Sequence, residues 1–180
     1  MKNHYAPASV WLHWLMFILF IGAYCSIEFR VLFEKGTAAR DLMKYSHFIF
    51  GLSILLLAGL RIVARLVTPK VARESYNKFQ RYASTIMFTG LYVLMVVQPL
   101  LGWATISAEG HSVDISAFTL PALIGEDQQL AKQIEEIHQL LGQTGYGLIG
   151  LHALAGLIHH YVVGDNTLKR MLRFSSKSEV

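Results

Sequence analysis

Histidine is the residue type with the clearest capacity for chemistry in this sequence, because a neutral imidazole nitrogen can bind iron or zinc. The chain has eight histidines but only one cysteine, Cys25. A single cysteine excludes an intrachain disulfide, a thiolate cage for an iron–sulfur cluster and a haem attached through a CxxCH motif. Four histidines interrupt strongly apolar stretches, where an ionisable side chain is costly and usually functional. These four are His13, His47, His138 and His152.

The stretches around these histidines are long enough to cross a membrane. Of the 180 residues, 53% are hydrophobic and 16% are charged, and the mean hydropathy is +0.40. A soluble domain usually carries about a quarter charged residues, and a helix needs about 20 mostly apolar residues to span a bilayer. The sequence predicts four such helices, over residues 10–30, 45–66, 82–106 and 134–164. We therefore expect an all-α, integral membrane four-helix bundle formed by one domain, residues 1–180.

The distribution of charge predicts which way the bundle lies in the membrane. Lysine and arginine dominate the connection between the second and third predicted helices and the C-terminal tail. Residues 109–136, which connect the apolar parts of the third and fourth helices, have six acidic residues and one lysine. Since basic connections stay inside, both termini are expected in the cytoplasm. The net charge of +4 is then a positive-inside pattern and not a nucleic-acid footprint. The helical pattern near residues 128–138 also predicts that the fourth helix extends outward.

Helix geometry places the four histidines at two matching depths. His138 and His152 are 14 residues apart, which is about 21 Å along a helix and nearly the same face. The first helix runs outward, so His13 near its start lies at the inner level. The second runs inward, so His47 near its start lies at the outer level. The sequence therefore predicts an inner pair, His13 with His152, and an outer pair, His47 with His138.

Two imidazoles that face each other across a bundle can ligate the iron of a porphyrin from both sides. That arrangement serves electron transfer, because no open position remains for dioxygen. Structural zinc prefers four ligands with cysteine among them, so two histidines per level are too few. The remaining alternative is that each histidine only hydrogen-bonds across helices. We interpret the two level pairs as the metal ligands of two haem groups.

Two basic residues are placed to bind haem propionates. Arg61 lies 14 residues after His47, on the same face and at the level of the inner pair. Its guanidinium can neutralise a propionate of the inner haem, or it can simply reach the headgroups from a helix end. Lys44, one turn before His47, can do the same for the outer haem, or it can be a solvated loop charge.

A second histidine cluster predicts a quinone site at the inner surface. His159 and His160 follow His152 by seven and eight residues, about two turns nearer the cytoplasm. One of them is expected to face the bundle below the inner haem. Histidine suits a quinone because it can donate hydrogen bonds and protons near physiological pH. The alternative is that both are interface residues or hydrogen-bond a propionate.

The order and spacing of several short motifs resemble the bacterial cytochrome b561 family over nearly the whole chain. Each motif is weak alone, whereas the set is specific. In chain order they are Ser9-Val-Trp-Leu-His13-Trp, Ala23-Tyr-Cys-Ser-Ile-Glu-Phe-Arg30, His47-Phe-Ile-Phe-Gly51, Arg61-Ile-Val-Ala-Arg65, Gln98-Pro-Leu-Leu-Gly102, Gly150-Leu-His152-Ala, His159-His160-Tyr and Asp165-Asn-Thr-Leu-Lys-Arg-Met171.

The resemblance implies a four-helix membrane protein with two bis-histidine b haems. The haem-ligating histidines of the family correspond to His13, His47, His138 and His152. These are the same four residues that helix depth groups into two pairs. Members are electron carriers linked to the quinone pool, and one member that this chain resembles is described as a superoxide oxidase that passes electrons to ubiquinone. Relatives often have histidines early in the third helix, where this chain has Thr85 and Phe88. Those histidines are therefore dispensable as ligands here.

The leading functional hypothesis is a dihaem cytochrome of the bacterial inner membrane that transfers electrons to or from the quinone pool. A second hypothesis adds oxidation of superoxide at the periplasmic side, because basic residues there can steer a small anion. Those residues are Arg30, Lys35, Arg40 and Lys44, and residues 28–44 also include three acidic side chains. A third is a haem-bearing membrane anchor for a separate dehydrogenase, and a fourth is a metal transporter. The expected partners are membrane lipid, quinone, and superoxide or a redox protein as donor.

Overall fold

Four long helices carry most of the chain in the computed structural model, which describes residues 5–67, 77–115 and 118–172. Each of the four is long and apolar enough to cross a membrane. The predicted all-α membrane bundle is therefore confirmed. The elements are α1 (Pro7–Phe29), α2 (Ala38–Val67), α3 (Lys78–Ala108), β1 (Val113–Ile115), β2 (Phe118–Leu120), α4 (Gln128–Ile158) and α5 (Thr167–Leu172).

Helices α3 and α4 begin before residues 82 and 134, where the sequence predicts their starts, because the residues that cap them lie earlier in the chain. Helix α3 begins after Asn77, whose side chain accepts from the backbone N–H of Gln80 in a capping box. Helix α4 begins after Asp127, whose carboxylate accepts from two backbone N–H groups. The outward extension of the fourth helix is thus confirmed, and α2 begins at Ala38 rather than at residue 45.

A short hairpin on the connection between α3 and α4 was not expected from the sequence. Strand β1 pairs with β2 antiparallel, with Val113 opposite Leu120. Helix α3 ends where Gly110 adopts a φ of 78°, a value that favours glycine. The indole N–H of Trp103 then donates to the carbonyl of Pro121 at 3.1 Å, which ties the connection back to α3.

The helices pack in chain order, with α1 along α2, α2 along α3 and α3 along α4. Close approach of α1 to α2 depends on Gly22, since a Cβ there would lie 2.9 Å from the ring of Phe50. The core between the first three helices is small, and many large apolar side chains are exposed, as expected of a surface that faces lipid. The core residues are Met16, Ala23, Ile54, Ala58 and Met95.

Side chains at one end of the bundle join the two ends of the chain. The indole N–H of Trp14, early in α1, donates to the carbonyl of Met171 in α5 at 2.7 Å. At that same end the guanidinium of Arg65 lies 6.0 Å from the ring centre of Tyr92. The start of α1 and the C-terminal helix thus share one end, as the expected orientation requires. Several basic residues used for that expectation, Lys70, Arg73, Arg173 and Lys177, lie outside the described residues.

Candidate haem sites

Both histidine pairs that depth predicts are brought together by the fold. The ring centres of His13 and His152 are 6.1 Å apart, with their planes at 76°. The ring centres of His47 and His138 are also 6.1 Å apart, with their planes at 87°. Two imidazoles that share one iron place their ring centres about 6 Å apart, because each metal–nitrogen bond is about 2 Å and each ring centre lies about 1 Å beyond its nitrogen. The spacing fits bis-histidine ligation at both levels.

The kind of metal centre follows from the number of ligands at each level. Within residues 5–67, 77–115 and 118–172 there is no group of three or more histidine, cysteine or acidic side chains that could hold a metal ion. A porphyrin supplies four nitrogens itself and needs only two axial ligands from the protein. Two facing imidazoles are therefore the donor set that suits a b haem.

Backbone carbonyls orient both rings of the outer pair. Nδ1 of His47 lies 2.8 Å from the carbonyl oxygen of Ala23, and Nδ1 of His138 lies 3.1 Å from that of Gln98. Because a carbonyl can only accept, each Nδ1 carries the proton, and Nε2 keeps the lone pair that ligates a metal. Gln98 also donates its side-chain amide to the carbonyl of His138 at 2.7 Å, and Gly102 leaves room for the same ring.

Aromatic side chains pack against the inner pair. The ring of His13 meets Trp14 edge-on, with 5.6 Å between ring centres. The ring of Phe88 lies 6.2 Å from that of His152. Phe88 is one of the two third-helix residues, with Thr85, at which the family resemblance leads us to expect a histidine. In this chain that position supports a ligand by packing.

Arg61 is directed at the inner pair. Its positive charge acts on both His13 and His152. Its Nη1 is buried and has no hydrogen-bond partner among the described residues. A buried guanidinium nitrogen without a partner is costly, so the site suits an anionic group such as a haem propionate.

At the outer level the structure points to a different cation from the expected Lys44. The ammonium of Lys44 is largely exposed and lies 3.6 Å from the carboxylate of Asp41, one turn earlier in α2. Arg30 follows α1 directly, its charge acts on His47, and its buried Nε has no partner among the described residues. Arg30 is therefore the better-placed partner for an anionic group at the outer pair. The spacing of Arg30 in the sequence could have indicated this role. Arg30 lies two helical turns after Ala23, whose carbonyl accepts from His47.

His159 and His160 lie in a π-helical turn, His159–Val163, which Gly164 ends with a φ of 74°. Such turns are rare and are found frequently at functional sites. Nδ1 of His159 lies 2.6 Å from the carboxylate of Asp165, whereas Nδ1 of His160 is buried without a partner in the described part of the chain. The two neighbouring histidines thus have different surroundings.

Asp165 is held as a carboxylate by its neighbours. Burial favours the neutral acid, but hydrogen bonds from Thr167 and His159 outweigh it and lower the pKa of Asp165 below its ordinary value of 3.8. A lowered folded-state pKa stabilises the fold at neutral pH, and this contribution is lost only as pH falls through that pKa. Asp165 is therefore a carboxylate throughout the physiological range.

Comparison with known proteins agrees with this architecture. The family model for prokaryotic cytochrome b561 matches residues 4–174. Cytochrome b561 homolog 1 of Escherichia coli (strain K12) is 30% identical over 172 residues, which cover 94% of this chain and 97% of the relative. The protein named probable superoxide oxidase CybB of Yersinia pestis is 34% identical over 177 residues, covering 96% and 97%. The chain belongs to the prokaryotic cytochrome b561 family and is a multi-pass b-type cytochrome of the bacterial inner membrane that serves in electron transfer.

Proposed function

We propose that this cytochrome binds two haem b groups and carries electrons between the periplasmic side and the quinone pool. One haem is held by the inner pair, His13 with His152, and one by the outer pair, His47 with His138. The observation that carries the proposal is the same 6.1 Å spacing of ring centres at two separate levels. The two ligands on α4 are 14 residues apart, about 21 Å along the helix, so each haem lies near one membrane surface.

The haem supplies reversible one-electron chemistry, and the protein supplies ligation, spacing and a low dielectric. The carbonyls of Ala23 and Gln98 keep the outer imidazoles in the tautomer that ligates through Nε2. Arg61 provides positive charge for a propionate at the inner level, and Arg30 places positive charge beside the outer pair. With two histidines as ligands of each iron, a bound haem would have no open position, so it would supply electron transfer without binding small molecules at the iron.

Superoxide is the electron donor that the outer surface favours. The similarity to a protein named probable superoxide oxidase supports this choice. Of the outer cations, Lys44 is paired with Asp41, and Arg40 donates to the carbonyls of Arg30 and Phe33. Arg30 lies beside His47 and can attract an anion to the outer pair, and Lys35 adds a further positive charge to this connection. Two superoxide anions give up one electron each and leave as dioxygen, and one quinone takes two electrons and two protons.

Ubiquinone is the acceptor that we propose at the inner end, beside the π-helical turn. His160 has a buried Nδ1 without a partner in the described residues, which suits a hydrogen bond to a quinone oxygen. The contact of His159 with the Asp165 carboxylate provides a route by which a proton can reach that oxygen from the cytoplasmic side. His159 and His160 follow the inner ligand His152 by about two helical turns.

The haem pairing predicts which haem each ligand variant loses. His13→Ala and His152→Ala should each remove the inner haem, and His47→Ala and His138→Ala the outer one, because one axial ligand does not hold a low-spin haem. Haem per chain should fall from two to one, with the remaining haem keeping its midpoint potential. His111→Ala is the matched control and should keep both haems. Loss of the outer haem in His152→Ala, with the inner one intact, would contradict the pairing.

The superoxide proposal predicts a charge effect at Arg30. Arg30→Gln should slow reduction of the haems by superoxide about 10-fold at low salt, since steering by a single nearby cation is lost. Lys44→Gln removes a charge already paired with Asp41 and should change the rate little. Stopped-flow mixing with superoxide, at rising ionic strength and corrected for haem content, measures both. Equal rates in the two variants would refute a steering role, and an unreactive wild type would favour a protein donor such as a dehydrogenase.

The quinone proposal predicts variants that keep haem but lose transfer to quinone. His160→Ala and Asp165→Asn should each retain two haems, while electron transfer to a soluble ubiquinone slows at least about 10-fold, as expected when a proton donor is removed. His111→Ala again serves as the control, and haem content is measured beside the rate. Normal rates in both variants, or haem loss that accounts for the whole defect, would remove the site from this end of the bundle.

A further inference from the structure

Two tyrosines and a glutamate join α1 to α4 close to the outer pair. The hydroxyl of Tyr24 donates to the carbonyl of Gly142 at 2.9 Å. The hydroxyl of Tyr146 donates to the carboxylate of Glu28 at 2.7 Å. The two tyrosine rings lie against each other, with 4.2 Å between their centres. Contacts therefore run in both directions between the two helices, and we refer to Tyr24, Tyr146 and Glu28 as the tyrosine clamp.

Helix α4 is shaped to receive the Tyr24 hydroxyl. A Cβ on Gly145 would collide with that hydroxyl, and Gly145 is buried. The acceptor of the hydroxyl is the carbonyl of Gly142, one turn earlier on α4. A Cβ on Gly147, two residues further along, would meet nothing within 4 Å. Within α4, close approach to the Tyr24 hydroxyl is thus specific to Gly145, whereas Gly142 lies close to the side-chain amide of Gln98.

Two consecutive residues of α1, Ala23 and Tyr24, form hydrogen bonds with α2 and α4, the helices that carry the outer pair. The carbonyl of Ala23 accepts from Nδ1 of His47 on α2. The next residue, Tyr24, bonds to Gly142 on α4, one turn after His138. Helix α1 carries no ligand of the outer pair, yet its residues 23 and 24 link the two helices that do. We therefore expect a change in the Tyr24 contact to alter the distance between the two outer rings.

We propose that the tyrosine clamp sets the spacing and relative angle of the outer histidine rings, so that its members are positioning residues for the outer haem. The inference rests on the proposed dihaem binding. A ligand constellation must be held to within about 0.5 Å to keep its geometry, and supporting contacts provide that precision. The clamp acts on the outer pair, whereas the inner pair is supported by Trp14, Phe88 and Arg61.

A pair of glycine variants tests the clamp. Gly145→Ala should displace Tyr24, lower outer haem occupancy to less than about half and shift the outer low-spin electron paramagnetic resonance signal, with the inner signal unchanged. Gly147→Ala, the matched control, should keep both signals. Tyr24→Phe should by itself shift only the outer signal. In the Gly145→Ala background it should restore outer occupancy, because the colliding hydroxyl is gone and neighbouring changes are then non-additive.

The outcomes separate failure of the clamp from failure of the dihaem proposal. Wild-type protein with fewer than two haems contradicts the dihaem proposal, and the clamp with it. Two haems in the wild type, with equal effects of Gly145→Ala and Gly147→Ala, would overturn the clamp alone. The same holds if Gly145→Ala loses both haems equally, or if Tyr24→Phe leaves the outer signal unchanged and fails to rescue Gly145→Ala.

Discussion

The constraint on which the bundle depends is the need to hold two pairs of imidazole rings 6.1 Å apart at two levels. Helix α4 contributes one ring to each pair, while α1 and α2 contribute the others. Helix α4 must therefore be in register at once with α1, which runs antiparallel to it, and with α2, which runs parallel to it. A shift of one residue would move each of its rings by about 1.5 Å and turn it by about 100°. The reciprocal hydrogen bonds between Gln98 and His138 oppose such a shift.

Three of the four buried side-chain atoms that lack a partner in the described part of the chain lie where this account needs a bound group. Buried polar groups in folded proteins almost always have partners. The buried side-chain atoms without one here are Nε of Arg30, Nη1 of Arg61, Oε1 of Gln98 and Nδ1 of His160. The first and third belong to the outer level, the second to the inner pair, and the fourth to the proposed quinone site. This distribution is typical of a protein that is completed by bound groups and not of a self-sufficient helix bundle.

The levels of the histidines could be predicted from the sequence, because helix rise and antiparallel order alone set depth. The supporting groups could not, because they depend on how far a side chain reaches between helices. Lys44 was expected at the outer level, although Asp41 one turn earlier was its available partner. Gln98 stood out as a polar residue within an apolar span, but its contacts come from a helix 40 residues away. The hairpin of β1 and β2 has three residues in each strand, which is too short to show an alternating pattern.

Haem stoichiometry combined with electron paramagnetic resonance of the purified, oxidised protein tests the central claim most directly. The account predicts two haem b groups per chain, both low-spin. Because the planes of the facing rings are at 76° and 87°, both signals should have the large g-anisotropy of nearly perpendicular axial ligands. A preparation with one haem per chain, or a high-spin signal that shows an open axial position, would contradict the pairing on which the account is built.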